Sequence, residues 1–183
     1  MNDTIRTQLA HSSVRAFTNE PVTAELRTQI LDAARAASTS CALQVTSIIR
    51  VTDPALRARI AELSGGQAHV AAAPEFWVFC ADYHRLQLLC PEADLGWIEQ
   101  FLVGCLDTGI MAQNAFTALE SLGLGGCFIG GIRNGITEGS ALLLSRRRHR
   151  LRASRRAQSR QAAAARHHHL HGKRLRRTRA SRT

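Results

Sequence analysis

The sequence predicts a mixed domain of helices and short strands, with helices covering a sheet on both faces. Three observations carry this. Short runs at 43–51, 75–82 and 127–133 are apolar or β-branched and of strand length. The intervening segments place apolar residues at helical spacing. Residues 95–126 form one long apolar element, which we read as a buried central helix. The order is helix, strand, helix, strand, long helix, strand, without an internal repeat.

The first long helix lies in "EPVTAELRTQILDAARAAS", where Val22, Leu26, Ile30, Ala33, Ala34 and Ala37 recur on one face. Thr23 is its expected cap, and Glu25 sits near the positive end of the helix dipole. "LQVTSIIRV" (43–51) reads as a strand. "DPALRARIAEL" opens on Asp-Pro, a helix-start signal, and aligns Leu56, Ile60 and Leu63. "SGGQAHV" (64–70) is a glycine-broken loop entering a short helical patch. "EFWVFCAD" (75–82) is a continuous apolar run, suited to a buried central strand. The long helix of 95–126 carries Glu99, Gln100, Asp107, Gln113, Asn114 and Glu120. These polar groups exclude a membrane span, which needs roughly 20 mostly apolar residues. The helix ends at "LGLGG", where glycine allows a left-handed exit. "CFIGGIR" (127–133) reads as a further strand.

The 183 residues carry a formal net charge of +10, which invites a nucleic-acid reading. That average hides two unlike parts. Residues 1–144 hold nine Arg, no Lys and fourteen Asp or Glu, a net −5. Residues 145–183 hold fourteen Arg, one Lys and no acid, a net +15. The body is mildly acidic, and the basic excess belongs to the tail. Five cysteines without a CxxC spacing argue against a disulfide framework or a zinc site. Cys80, Cys105 and Cys127 lie in apolar runs and read as buried hydrophobes, which suits a reducing cytosol. "MNDTIRTQLAHSSVRAF" lacks an apolar core of signal-peptide length, so no export is expected.

Three polar patches could carry chemistry. "HSSVRAF" gathers His11, Ser12, Ser13 and Arg15, whose hydroxyls and guanidinium suit a phosphate; a solvated helix end with a stray Arg is the alternative. "ASTSCALQ" (37–44) offers hydroxyls and a thiol, Cys41, to a ligand edge, or is simply a capping loop. "GLGGCFIGGIRN" (123–134) places Gly130 and Gly131 where backbone N–H groups can approach a flat or anionic ligand. It is not a dinucleotide-binding turn. No HExxH, GxSxG or Walker lysine occurs. His11 and His69 remain open between acid–base and structural roles.

Taken in order, "HSSVRAFTNEPV", "ASTSCALQVTSIIRVTD", "LSGGQAHVAAAPEFWVFCAD" and "LGLGGCFIGGIRN" resemble the oxygen-insensitive NADPH nitroreductases of the nitroreductase superfamily, kin to the flavin reductases of luminous bacteria. The resemblance spans about 1–144. It implies an α+β flavoprotein fold, a homodimer, and FMN at the subunit interface with NADPH as cosubstrate. It also implies a two-electron, ping-pong reduction of nitroaromatics or quinones. Reduction of free flavin is the alternative activity, and an inactive remnant a further one. FMN does the redox chemistry, so no catalytic side chain is expected. By the same resemblance, His11, Ser12, Ser13, Val14 and Arg15 hold the FMN phosphate and ribityl chain, with Ser12 replacing a usual Arg. Thr39 supplies a hydroxyl near the flavin. Gln67 contacts the ring, with Ala68 replacing a usual Lys. Phe128, Ile129, Gly130 and Gly131 lie against the isoalloxazine. Cys41, with Ala42 beside it, and Arg133 fall on the substrate or NADPH side.

The tail "SRRRHRLRASRRAQSRQAAAARHHHLHGKRLRRTRASRT" resembles nothing in that family. Its only hydrophobes are Leu and Ala, so it is expected to stay disordered. It reads as a nucleic-acid arm, an engineered tag, or the product of a shifted reading frame in a GC-rich gene. Arg, Ala, Ser and His are what out-of-frame GC-rich codons yield, and we expect the third. The boundary is then 1–144 for the enzyme part and 145–183 for the tail. The resemblance places part of the FMN site and of the dimer embrace beyond the matched region, so this polypeptide is expected to retain flavin weakly.

Overall fold

The computed structural model describes residues 1–143. The chain divides into two compact units, Met1–Ile136 and Thr137–Thr183. All named elements lie in the first. Of the second, residues 137–143 are described and are helical. The Arg-rich tail lies outside the described residues.

Helix α1 (Asp3–Leu9) is capped by Asn2, whose side chain accepts from the Ile5 amide. Helix α2 (Ala24–Arg35) begins as its sequence predicts: the Thr23 hydroxyl accepts from the Leu26 amide, with Glu25 in the first turn. Strand β1 (Thr46–Arg50) follows. Asp53 caps helix α3 (Pro54–Leu63) by accepting from the Ala55 and Leu56 amides. Gly65 and Gly66, both at positive φ, lead into the short helix α4 (Ala68–Ala72). Strand β2 (Trp77–Ala81) is antiparallel to β1, pairing Ile48 with Phe79. Helix α5 (His84–Leu89) is an element the sequence pattern left unassigned. Helix α6 (Ile98–Ser121) is the long one. It exits through Leu122 into Gly123 at φ 77°, the left-handed exit read from "LGLGG".

The core sits between α2, α6 and the sheet. Ile30, Ala34 and Ala115 are buried, with Ile48, Trp77, Phe79, Met111 and Leu119 packed against them. A second apolar cluster gathers at α3 and α4, where Ile60 and Val70 are fully enclosed. Among the described residues the candidate spans stop there: no helix is long and apolar enough to cross a membrane.

Four expectations need correction. The segment 127–133 does not form a strand. It has no regular secondary structure up to Gly130 and then closes into a 3-10 turn at Gly131–Gly135. A strand exists only by pairing, and among the described residues the nearest pairing is the single parallel bridge of Ser13 to Gly126, just before this segment. For the same reason β2, which among the described residues pairs with β1 alone, is half-buried and not the buried central strand expected. Helices on both faces were expected; among the described residues α6 is the helix that packs repeatedly on both strands, and α2 packs on α6 and joins the same core. Finally, α6 is not buried on all sides. Ile98, Phe101, Leu102, Leu106 and Ile110 are each about half exposed or more. Cys105 lies among them and is exposed, whereas Cys80 and Cys127 are half-buried. All five cysteines are free thiols.

One charged cluster ties the start of β2 to its neighbours. Glu75 accepts from Arg50 at 2.7 and 2.6 Å, from Arg27 at 3.3 Å and from the Trp77 indole at 2.9 Å. Burial pushes the Glu75 pKa up, but the Arg50 and Trp77 hydrogen bonds and the Arg50 and Arg27 charges outweigh it and hold it below the ordinary 4.5. A depressed carboxylate stabilises the fold above the unfolded-state pKa and loses that contribution as pH falls through the folded one. Thermal denaturation between pH 7 and pH 3 should therefore show Glu75→Gln less stable by about 1–2 kcal/mol at neutral pH. The gap to the parent should close on acidification below about pH 4.5.

Candidate functional site

The first and third polar patches meet. The Val14 amide donates to the Gly126 carbonyl at 2.7 Å, and Ser13 pairs with Gly126. Gly125 makes the approach possible: a Cβ there would stand 2.8 Å from Val14 Cγ2. Two chain segments more than a hundred residues apart thus run side by side. Along them lie Ser12 and Ser13, both exposed, and Arg15. Among the described residues the Arg15 guanidinium donates to the Ser13 carbonyl alone, at a long 3.5 Å, and Arg15 is exposed, which leaves donors for a ligand. Its charge opposes the upward shift that burial imposes on the Cys127 thiol. Cys127 is therefore a neutral thiol beside a cation, not an activated nucleophile.

An aromatic stack supports the same corner. Phe116 of α6 is buried and has Phe128 stacked on it at 4.8 Å, with the His11 ring edge-on at 5.2 Å. His11 Nδ1 lies 2.8 Å from Glu120 Oε1, so the imidazole is oriented from α6. Phe128 keeps 54% of its surface exposed, a flat apolar face next to the serines and Arg15.

The Gly130–Gly131 pair meets the loop carrying Gln67. Gln67 donates to the Ser64 carbonyl at 2.8 Å. A Cβ on Gly131 would stand 2.4 Å from that carbonyl and 2.5 Å from Gln67 Nε2, so no side chain fits there. A Cβ on Gly130 would lie 2.9 Å from Arg133 Nη2, which places the exposed Arg133 guanidinium over the glycine pair. Ile129 lines the apolar cleft beside it.

The second patch lies elsewhere. The Thr39 hydroxyl accepts from the Gln44 amide at 2.9 Å. Ser40 is bound to α6: its amide and hydroxyl donate to the carboxylate of Asp107, at 3.0 and 3.1 Å. Cys41 is exposed, and it, Ala42 and Gln44 adopt positive φ of 49°, 55° and 53°. Asp107 precedes Phe116 by nine residues, about 13 Å along the helix and half a turn around it. Thr39 and Cys41 therefore face the opposite side of α6 from His11 and Phe128. Asp107, only 4% exposed, is a residue the sequence reading passed over as a polar interruption. A carboxylate set among the apolar residues of a helix's middle turns, with a hydroxyl-rich turn elsewhere in the chain, was the available signal.

The donor set fits a phosphate attached to a flat ring. Exposed hydroxyls and a guanidinium with unused donors suit the anion. The open face of Phe128, the glycine backbone and the Gln67 amide suit a planar, polar-edged ring. Among the described residues no cluster of three or more metal-ligating side chains occurs.

Comparison with known proteins identifies the family. Residues 9–138 match the nitroreductase family. The oxygen-insensitive NADPH nitroreductase of Salmonella typhimurium is 56% identical over 143 residues, 78% of this chain and 60% of that protein. The NADPH-flavin oxidoreductase of Vibrio harveyi is 50% identical over the same shares. The solved NADPH:FMN oxidoreductase of Vibrio harveyi, in complex with NAD+, superposes with a TM-score of 0.77 at 49% identity, covering 78% of this chain and 62% of that one. The chain thus spans about 60% of the length of these two curated relatives. With a family match running from before His11 to beyond Arg133, this chain belongs to the nitroreductase family.

Proposed function

We propose that this chain carries the flavin-contacting part of an NADPH-dependent FMN oxidoreductase. The observation that carries this reading is the junction of Val14 with Gly126, which sets Ser12, Ser13 and Arg15 beside Phe128. Arg15 and the two serines bind the phosphate, and His11, held by Glu120, fixes the near end of the segment. Gln67, Phe128, Ile129, Gly130 and Gly131 take the ring. FMN, when bound, supplies the hydride chemistry. Arg133 and Cys41 stand on the side open to NADPH or the oxidant. Nitroaromatics and quinones, reduced by two electrons at a time, are the proposed oxidants. The Vibrio harveyi relative, an NADPH-flavin oxidoreductase, favours free flavin as a second reading. NADPH oxidation assayed with a nitroaromatic, a quinone and free FMN separates the two.

A homodimer is part of the proposal. Thr39 and Cys41 lie across α6 from the phosphate corner, so one small ligand reaches both only if a second copy supplies one of them. The exposed apolar flank of α6 is the surface such a copy would cover. Five free thiols fit a reducing, cytosolic setting.

FMN titration followed by flavin fluorescence and visible absorbance tests the reading. The full chain should purify nearly colourless yet shift the flavin spectrum at high FMN. Arg15→Ala should weaken binding about tenfold, the worth of one charge-assisted hydrogen bond. An unchanged spectrum at saturating FMN would overturn the proposal.

A further inference from the structure

We infer that Glu120 decides how His11 meets the phosphate of the flavin. It holds the imidazole in the tautomer with its hydrogen on Nδ1, so His11 binds the phosphate only as an imidazolium, and FMN binding takes up a proton. This rests on the flavin reading above and goes beyond it. It makes Glu120 a positioning residue and gives the site a dependence on pH.

His11 Nδ1 lies 2.8 Å from Glu120 Oε1. A carboxylate only accepts, so Nδ1 carries the hydrogen. The Glu120 side chain is 13% exposed and that of His11 43%. The carboxylate is therefore largely shielded, while the ring opens to solvent. Two further contacts hold the ring in place. Phe116, itself buried, meets it edge-on at 5.2 Å, and the His11 amide donates to the Gln8 carbonyl at the end of α1. Nε2 faces away from Glu120, and among the described residues it has no hydrogen-bond partner.

In the neutral ring Nε2 holds a lone pair and accepts. Above pH 7 the phosphate is a dianion whose oxygens also only accept. Two acceptors repel, so the neutral ring adds nothing to phosphate binding. A proton taken from solvent turns Nε2 into a donor and makes the ring a cation. The imidazolium then lies between two anions, Glu120 at Nδ1 and the phosphate at Nε2, with a charge-assisted hydrogen bond to each. No bond of the flavin changes: the chain, the FMN dianion and one proton give the protonated complex. Because the phosphate favours the protonated ring, protonation favours the phosphate by the same factor.

The other charged groups around the ring do not titrate in its place. Arg15, on the same segment, keeps its charge throughout. From α1, Arg6 pairs with Asp3 at 3.5 Å, and both line one open cavity with Glu120 and Ser12. From the glycine segment, burial pushes the Cys127 thiol up, so it stays neutral. The Met1 amino group can titrate near neutrality, and a His11 variant separates its effect.

The test titrates FMN and riboflavin into the full 183-residue chain between pH 7 and pH 8.5, read by flavin fluorescence. Riboflavin carries the same ring without the phosphate. The second dissociation of a phosphate monoester lies near pH 6, below the window. The FMN dissociation constant should rise about tenfold from the bottom of the window to the top, and that of riboflavin should stay level. Glu120→Gln frees the tautomer, so a neutral ring can carry its hydrogen on Nε2 and donate without a proton. Its FMN dissociation constant should rise less than about threefold, with the fold intact by circular dichroism. His11→Asn should remove the rise altogether. Isotope-edited NMR of the histidine rings at pH 8.5, without flavin, should show His11 with its hydrogen on Nδ1. Its signal is assigned by its loss in His11→Asn. A hydrogen on Nε2 instead, a rise that survives in His11→Asn, or an undiminished rise in Glu120→Gln overturns the inference. So does an equal rise for riboflavin. FMN binding that ignores pH sinks the proton uptake and leaves the flavin reading standing, whereas no FMN binding at any pH sinks both.

Discussion

Asp107→Ala should cost about 3 kcal/mol of stability and release the turn at 39–44. The carboxylate is 4% exposed and accepts three contacts from one residue, the Ser40 amide at 3.2 and 3.0 Å and the Ser40 hydroxyl at 3.1 Å. Hydrogen bonds to a charged group are worth about 1.5–3 kcal/mol, and those made to a single residue do not add fully. Removing the acceptor also strands the Ser40 amide and leaves a small void. The turn it anchors is not relaxed by itself: Cys41, Ala42 and Gln44 are non-glycine residues at positive φ. Each costs of order 1 kcal/mol and persists only while the surroundings hold it. What remains after the substitution is the bond from the Gln44 amide to the Thr39 hydroxyl, the turn's own bonds from the Ala42 and Leu43 amides to the Thr39 and Ser40 carbonyls, and the Arg85 guanidinium on the Gln44 carbonyl. Urea unfolding should show the loss of stability. Hydrogen exchange should show the Gln44 amide opening well before the α2–α6 core. Ser40→Ala, which keeps the amide bond, should lose only about 1 kcal/mol. If Asp107→Ala matches Ser40→Ala, the amide contact contributes nothing and the anchor assignment is wrong.

The contrast between Asp107 and the helices around it shows what the sequence reveals. Thr23, Asp53 and Gly123 act on the three or four residues beside them, so caps and exits can be read from local pattern alone. Helical periodicity in α2 and α3 is equally local. A strand is a relation between distant segments. The apolar run 127–133 has strand composition, yet it lacks the repeated pairing that makes one. Burial is relational too: Cys105 sits in an apolar run and is exposed, because that flank of α6 has no described neighbour. The candidate site divides in the same way. "HSSVRAF" and "GLGGCFIGGIRN" were visible as patches, but their junction at Ser13 and Gly126 depends on the N-terminal segment packing beside α6, near the end from which the glycine segment leaves. The separation of Thr39 and Cys41 from that corner was invisible for the same reason.

Leu106→Glu should leave the folded chain intact and abolish self-association. Leu106 is 64% exposed, so a charge there meets water and little of the fold's own packing is lost. Its neighbours make the position matter. Ile98, Phe101, Leu102, Cys105, Leu106 and Ile110 recur every three to four residues, one continuous apolar stripe along α6. A contiguous apolar stripe of this kind on a helix facing solvent marks an interaction surface. A twofold contact places each stripe residue in the interface twice. Burying a leucine is worth about 1.5–3 kcal/mol, so losing it in both copies costs about 3–6 kcal/mol before any penalty for burying the carboxylates. At 1.4 kcal/mol per factor of ten, the dimer should weaken by at least a hundredfold. Sedimentation velocity across a concentration series reads this directly, with circular dichroism confirming that the helices persist. Leu106→Ala should weaken the dimer less, since it removes area without adding charge. A parent chain that stays monomeric at every concentration, or a Leu106→Glu chain that dimerises equally well, would mean that α6 does not carry the contact. The assignment of Thr39 and Cys41 to a partner's site would then fail with it, because no second copy would bring them to the Arg15 corner.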